Sequence, residues 1–176
     1  MSHPAEHPIQ HYALMSRDDL SGYWFNAYGW IACYFAQLEG LSYALIEAFA
    51  PSEEIPSLMR MPYQARTNQA ERLVCAHLRA RGDSELAEEW SRFLAEAKAA
   101  APMRNDVLHN PLSISLALGN PLHDTNAGIV LTHEADRRVL KLGTVQAFSK
   151  TMLDLNLVMQ GLLRRSGLAA EPKPTK

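Results

Sequence analysis

The sequence predicts a mainly all-α fold: an antiparallel four-helix bundle with a small β-hairpin or three-stranded insertion before the last helix. Three observations carry that prediction. Apolar residues recur at i, i+3, i+4 and i+7 over long runs punctuated by Pro and Gly. The period changes to alternation only between residues 112 and 142, where turn residues separate short β-branched runs. With 176 residues, 47% hydrophobic and 20% charged, the chain has the make-up of one globular domain able to bury a sizeable core.

Residues 1–14 carry His3, His7 and His11, but Pro4 and Pro8 argue against a helix that would align them. A disordered or irregular tail is expected there, with no metal site. The domain proper is expected over residues 15–167. A first helix is read over residues 18–49, with Asp18 and Asp19 in its first turn and Pro51 as its stop. Tyr28, Ile31, Ala32, Phe35, Leu38, Ser42, Leu45, Ile46 and Phe49 form its apolar stripe. Gly22, Gly29 and Gly40 lower helix propensity and hint at a closely packed neighbour. Glu39 falls within about 40° of Tyr28, Phe35 and Ile46 on the helical wheel. A carboxylate there either reaches water at the stripe edge or finds a cation.

Residues 51–62 read as an irregular connection. A second helix is expected over residues 65–81, with Leu73, Val74, Ala76, His77 and Leu78 inward and Gly82 as C-terminal cap. In that setting Arg81-Gly82-Asp83-Ser84 is a helix–helix turn, with Asp83 or Ser84 capping the next helix. That third helix buries Leu86, Trp90, Phe93, Leu94 and Ala97. Pro102 either kinks it or ends it; an ending would free backbone N–H groups near Arg104 for an anion. Short strands are expected within residues 112–118, 128–132 and 138–142. The last helix runs from Thr144 as N-cap to about residue 166, burying Val145, Phe148, Met152, Leu155, Met159 and Leu162. A polar tail, residues 168–176, follows.

Composition limits the function classes. No run has the ~18 apolar residues of a membrane span, and residues 1–8 lack a signal-peptide pattern. Cys33 and Cys75 suit buried, reduced thiols, so a cytoplasmic location without membrane association is expected. A net charge of −2 gives no general grip on nucleic acid. Charge is nonetheless segregated. Residues 60–81 are arginine-rich and residues 83–96 are glutamate-rich, which suits two complementary helix faces or a local phosphate-contacting surface.

Chemistry concentrates in Arg104-Asn105-Asp106-Val107-Leu108-His109-Asn110-Pro111, with a fixed cation, an amide, a carboxylate and an imidazole. On one helix Arg104 and His109 lie about 140° apart, whereas Asn105 and His109 share a face. Arg72 and His77 repeat the Arg-to-His spacing, but Leu73 follows Arg72 inside a core-forming helix. A plainer use of the stretch leaves Arg104 and Asp106 solvated and His109 at a helix C-terminal dipole. A metal site on His109, Asp106 and His123 or His133 lacks any HExxH or paired-carboxylate motif.

Arg104-Asn105, three residues, then His109, late in a helical bundle, resembles the signature of the HEPN superfamily. The resemblance covers the bundle plan over residues 18–166 and this one motif. It implies metal-independent RNA cleavage without a cofactor, with Arg104 and His109 catalytic. Asn105, Asp106 and Glu39 would support them, Glu39 by holding Arg104 or His109. One imidazole cannot both take the nucleophile's proton and protonate the leaving group, so a homodimer with two facing motifs is implied. Proteins of this kind are often paired with a neutralising nucleotidyltransferase-type antitoxin, although nothing in the chain identifies one. The expectation from another class is a non-enzymatic dimerisation, interaction or nucleotide-binding module of the same fold.

Overall fold

In a computed structural model of the chain, residues 19–108, 112–114, 127–131 and 137–168 are described, and the fold is mainly helical. Helix α1 spans Asp19–Phe49, the short α2 Ile55–Leu58, α3 Tyr63–Ala80, α4 Ser84–Ala99, α5 Ala101–Leu108 and α6 Leu142–Arg165. Strands β1 (Leu112–Ile114), β2 (Ala127–Leu131) and β3 (Arg137–Lys141) pair antiparallel in the order β1-β2-β3, with Ser113 opposite Ile129 and Ile129 opposite Val139.

The first and second long helices do not run as the sequence suggested. Phe35 meets Tyr63 with ring centroids 4.9 Å apart, Glu39 meets Arg66, and Phe49 meets His77 at 4.6 Å. Positions on both helices rise together, so α1 and α3 are parallel, which corrects the antiparallel expectation. Residues 51–62 make this possible. At 1.5 Å per residue, α3 must begin about 20 Å back along α1, and the connection covers that distance. Pro51 and Pro62 bracket it, α2 forms within it, and Leu58 is buried against the core. Helix α4 then runs against α3. Cys75 Sγ meets Ala87 O at 3.3 Å near one end, and Tyr63 Oη meets Ala97 O at 3.4 Å near the other.

The core is built from the expected stripes with specific departures. Ile31, Phe35, Leu38, Ile46, Val74, Leu78, Trp90, Val107, Val145, Met152 and Leu162 are fully enclosed. Each large apolar side chain so buried contributes about 1.5–3 kcal/mol. Ala32, Ala76 and His77, expected inward, are exposed. On α3 the buried stripe instead follows Arg66, Thr67, Ala70, Val74, Cys75 and Leu78. Cys33 is exposed, so only Cys75 fits the buried thiol expected of both. At Gly29 and Gly40 an added Cβ would meet nothing within 4 Å, so neither glycine accommodates a close neighbour.

Helix ends follow local chemistry. Gly82 (φ +85°) and Gly167 (φ +70°) each close a Schellman motif, seen in Asp83 N–H to Leu78 O and Leu168 N–H to Leu163 O, both at 2.9 Å. Thr144 is not the N-cap of the last helix, because β3 leads straight into α6 at Leu142. Trp90, fully buried, donates its indole N–H to Ser166 Oγ at 2.7 Å, and Ser166 in turn donates to Leu162 O. This bond and the Arg165–Glu89 ion pair seat the end of α6 beside the start of α4.

Candidate functional site

Arg66 is an arginine on a buried stripe, with 3% of its side chain exposed. A buried charge is tolerated when its donors are met. Arg66 Nε donates to Ser42 Oγ, Nη1 to Met61 O and Nη2 to Glu39 Oε1, each at 2.9 Å. The guanidinium carbon also lies 3.7 Å from the centroid of the Tyr43 ring. Ser42 completes the loop by donating to Glu39 O at 2.7 Å. Glu39 therefore takes the second of the two courses open to it, finding a cation while its side chain remains 35% exposed.

Helix α5 brings Arg104 to the same carboxylate. Pro102 has no N–H to give Lys98 O, and the helical run is interrupted at Ala100. The interruption is slight: Ala100 keeps helical angles (φ −75°, ψ −19°) and accepts the Arg104 N–H at 3.1 Å. That amide is used within the helix, so the break does not turn it toward an anion. The side chain does the outward work. Arg104 Nη2 stands 3.9 Å from Glu39 Oε2, and its guanidinium carbon lies 4.4 Å from the Phe35 ring centroid. Nη1 donates to Asn105 Oδ1 at 3.0 Å.

One carboxylate thus faces two arginines, Oε1 toward the enclosed Arg66 and Oε2 toward Arg104, which is 21% exposed. Tyr63 backs the cluster against Phe35. Burial pushes the Tyr63 hydroxyl up from its ordinary pKa and the Glu39 charge adds to that. The Thr67 hydrogen bond, Arg66 and Arg104 pull the other way without reversing it. The phenol is accordingly a neutral group at ordinary pH. What the arrangement offers chemically is a fork-shaped cation, backed by an aromatic ring and a carboxylate, at the rim of the domain. That geometry suits a phosphate or carboxylate oxygen pair.

Of the residues singled out from the sequence, Arg104, Asn105 and Glu39 come together. Asp106 is half-buried on α5. His109, along with His3, His7, His11, His123 and His133, lies outside the described residues. Arg72 and His77 do not form a second site, since both are exposed and the His77 ring lies tilted against Phe49. Sequence reasoning missed Arg66. A signal was available in its i, i+4, i+8, i+12 relation to Ala70, Val74 and Leu78, which sets it on the buried stripe of α3. The segregated charges interlock less simply than expected. Glu71, the one acid of the basic stretch, takes Lys98 at 2.8 Å and Ser91 at 2.6 Å, while Glu89 of the acidic stretch pairs with Arg165 on α6.

Among the described residues no group of three or more His, Cys, Asp or Glu could hold a metal ion, and no helix is long and apolar enough to cross a membrane. No family model, no curated protein and no solved structure matches the chain.

Proposed function

We propose that the chain is a HEPN-like, metal-independent endoribonuclease of the toxin or defence type, with Arg104 and His109 of two protomers forming a composite site. The supporting observation is the mounting of Arg104. An arginine placed only for solvation has no need of a buried ring beneath it and a carboxylate beside it that a second arginine already holds. The parallel course of α1 and α3 lends the family resemblance no support, so the proposal rests on this site and the short motif.

In the proposed reaction the Arg104 guanidinium pairs with the non-bridging oxygens of the scissile phosphate, where charge grows as the ribose 2′-oxygen attacks phosphorus. His109 of one protomer accepts the 2′-hydroxyl proton, and His109 of the other protonates the departing 5′-oxygen. The products are a cyclic phosphate and a free 5′-hydroxyl. Asn105 holds the Arg104 fork from the side, and a neutralising antitoxin would be needed in the cell.

A different observation favours a non-enzymatic dimerisation or interaction module. Phe25 on α1 is 71% exposed and Leu157 on α6 57%, with Trp30 and Val158 also open. Single exposed apolar residues are ordinary, and it is the occurrence of several on two packed helices that supports this reading.

The deciding experiment incubates purified protein with labelled RNA and EDTA, beside Arg104→Ala and His109→Ala. Cleavage by the parent and loss in both variants supports the ribonuclease. Cleavage that needs added metal, or that survives both substitutions, sinks it. A protein that dimerises but neither cuts RNA nor arrests growth on expression is the interaction module.

A further inference from the structure

We infer that Arg66 and Glu39 are positioning residues that set the Arg104 guanidinium. The inference rests on the proposed role of Arg104 and adds to it the part of the molecule that holds that group in place. Arg66 is suited to the task because it is enclosed and anchored at three points on two other segments: Ser42 on α1, Met61 before α3, and Glu39. The Ser42 hydroxyl is itself fixed by Glu39 O, so Arg66 and the Glu39 backbone are tied together. Glu39 then has one oxygen committed and the other directed at Arg104.

The Arg104 contact, at 3.9 Å, is longer than the 2.9 Å bond to Arg66. At that distance Glu39 bears on the direction of the guanidinium, whose carbon lies 4.4 Å from the Phe35 ring centroid. Arg66 supplies the stiffness, since a free glutamate would follow Arg104 rather than direct it. A phosphate-binding arginine displaced by about 1 Å loses on the order of 100-fold in rate.

The test uses Arg66→Lys, which keeps the charge but loses the fork, and Glu39→Gln, which keeps shape and loses charge. Arg104 is followed by its side-chain Nε–Hε NMR signal, assigned from Arg104→Lys, and folding by circular dichroism. Both variants are expected to stay helical and to displace or broaden that signal. Cleavage of a labelled oligoribonucleotide should fall ~10- to 100-fold in kcat/KM. If Arg66→Lys does not fold, Glu39→Gln alone carries the test. A folded Glu39→Gln whose Arg104 signal matches the parent overturns the inference. Parent protein that cuts no RNA overturns the ribonuclease instead, and the NMR comparison still decides whether Glu39 and Arg66 orient Arg104.

Discussion

Arg66 donates through Nη2 to Glu39 Oε1 at 2.9 Å from a position where almost none of its side chain reaches solvent. Removing one partner of a buried pair strands the other charge, at a cost of several kcal/mol. Glu39 is itself a third exposed, and Ser42 and Met61 would still receive Arg66. Glu39→Ala should therefore destabilise the domain by about 2 kcal/mol, short of a fully buried pair. Glu39→Gln, retaining an amide oxygen as acceptor, should cost about half of that. Urea unfolding at neutral pH measures both. Equal losses for the two variants would mean that packing, not the ion pair, is what Glu39 contributes.

Trp90 gives a second prediction, independent of the site. Its indole N–H lies in the core, and Ser166 Oγ is the acceptor that satisfies it. Ser166→Ala leaves a buried donor unmet, at a cost of about 1–3 kcal/mol. It also loosens the end of α6 from the start of α4. Chemical denaturation followed by tryptophan fluorescence should show the earlier midpoint. An unchanged midpoint would mean that another group takes the N–H.

What could be read in advance was decided by periodicity, and what could not was decided by tertiary choice. The stripe from Ile31 to Ile46 and that from Val145 to Leu162 are regular, and they became core. The direction of α3 was hidden because residues 51–62 carry only local turn signals. Nothing local says that such a segment doubles back along α1 rather than turning sharply. The same choice hid Arg66, whose charge argues for solvent until Glu39, Ser42 and Met61 surround it. His77 misled in the opposite sense, since its apolar neighbours suggested an inward face that α3 does not use. At the site itself, a pairing of Glu39 with Arg104 or His109 is only what the family resemblance implies; that Glu39 meets Arg104 depends on α5 packing against α1.

Two glycines should respond to alanine with opposite signs. Gly82 closes α3 at φ +85°, in the left-handed region, so Gly82→Ala should cost about 1–2 kcal/mol. Gly40 lies exposed inside α1, and an added Cβ there meets nothing within 4 Å. Gly40→Ala should raise stability by up to ~1 kcal/mol through helix propensity alone. Paired thermal melts read the two signs. A loss at Gly40 would reveal a neighbour in solution, such as a second protomer, against that face of α1.

The ion pair between Glu71 and Lys98 should make part of the stability depend on pH. Burial by itself raises the Glu71 carboxyl, but the hydrogen bonds from Lys98 and Ser91, helped by the Lys98 charge, outweigh it and hold the group below its ordinary pKa. A carboxyl lowered by folding binds its proton more readily in the unfolded chain. Its contribution is therefore complete above the unfolded value of about 4.3 and is lost as pH falls through the lower folded value. Glu71→Gln cannot make this contribution at any pH, although its amide still reaches Ser91. The variant should fall short of the parent by about 1 kcal/mol at about pH 7, and the gap should close toward about pH 3. Added salt at neutral pH should narrow it as well, because the pair is partly solvated. Urea midpoints at both pH values decide the matter. A gap that stays constant with pH would assign the role of Glu71 to its neutral hydrogen bond with Ser91 rather than to its charge.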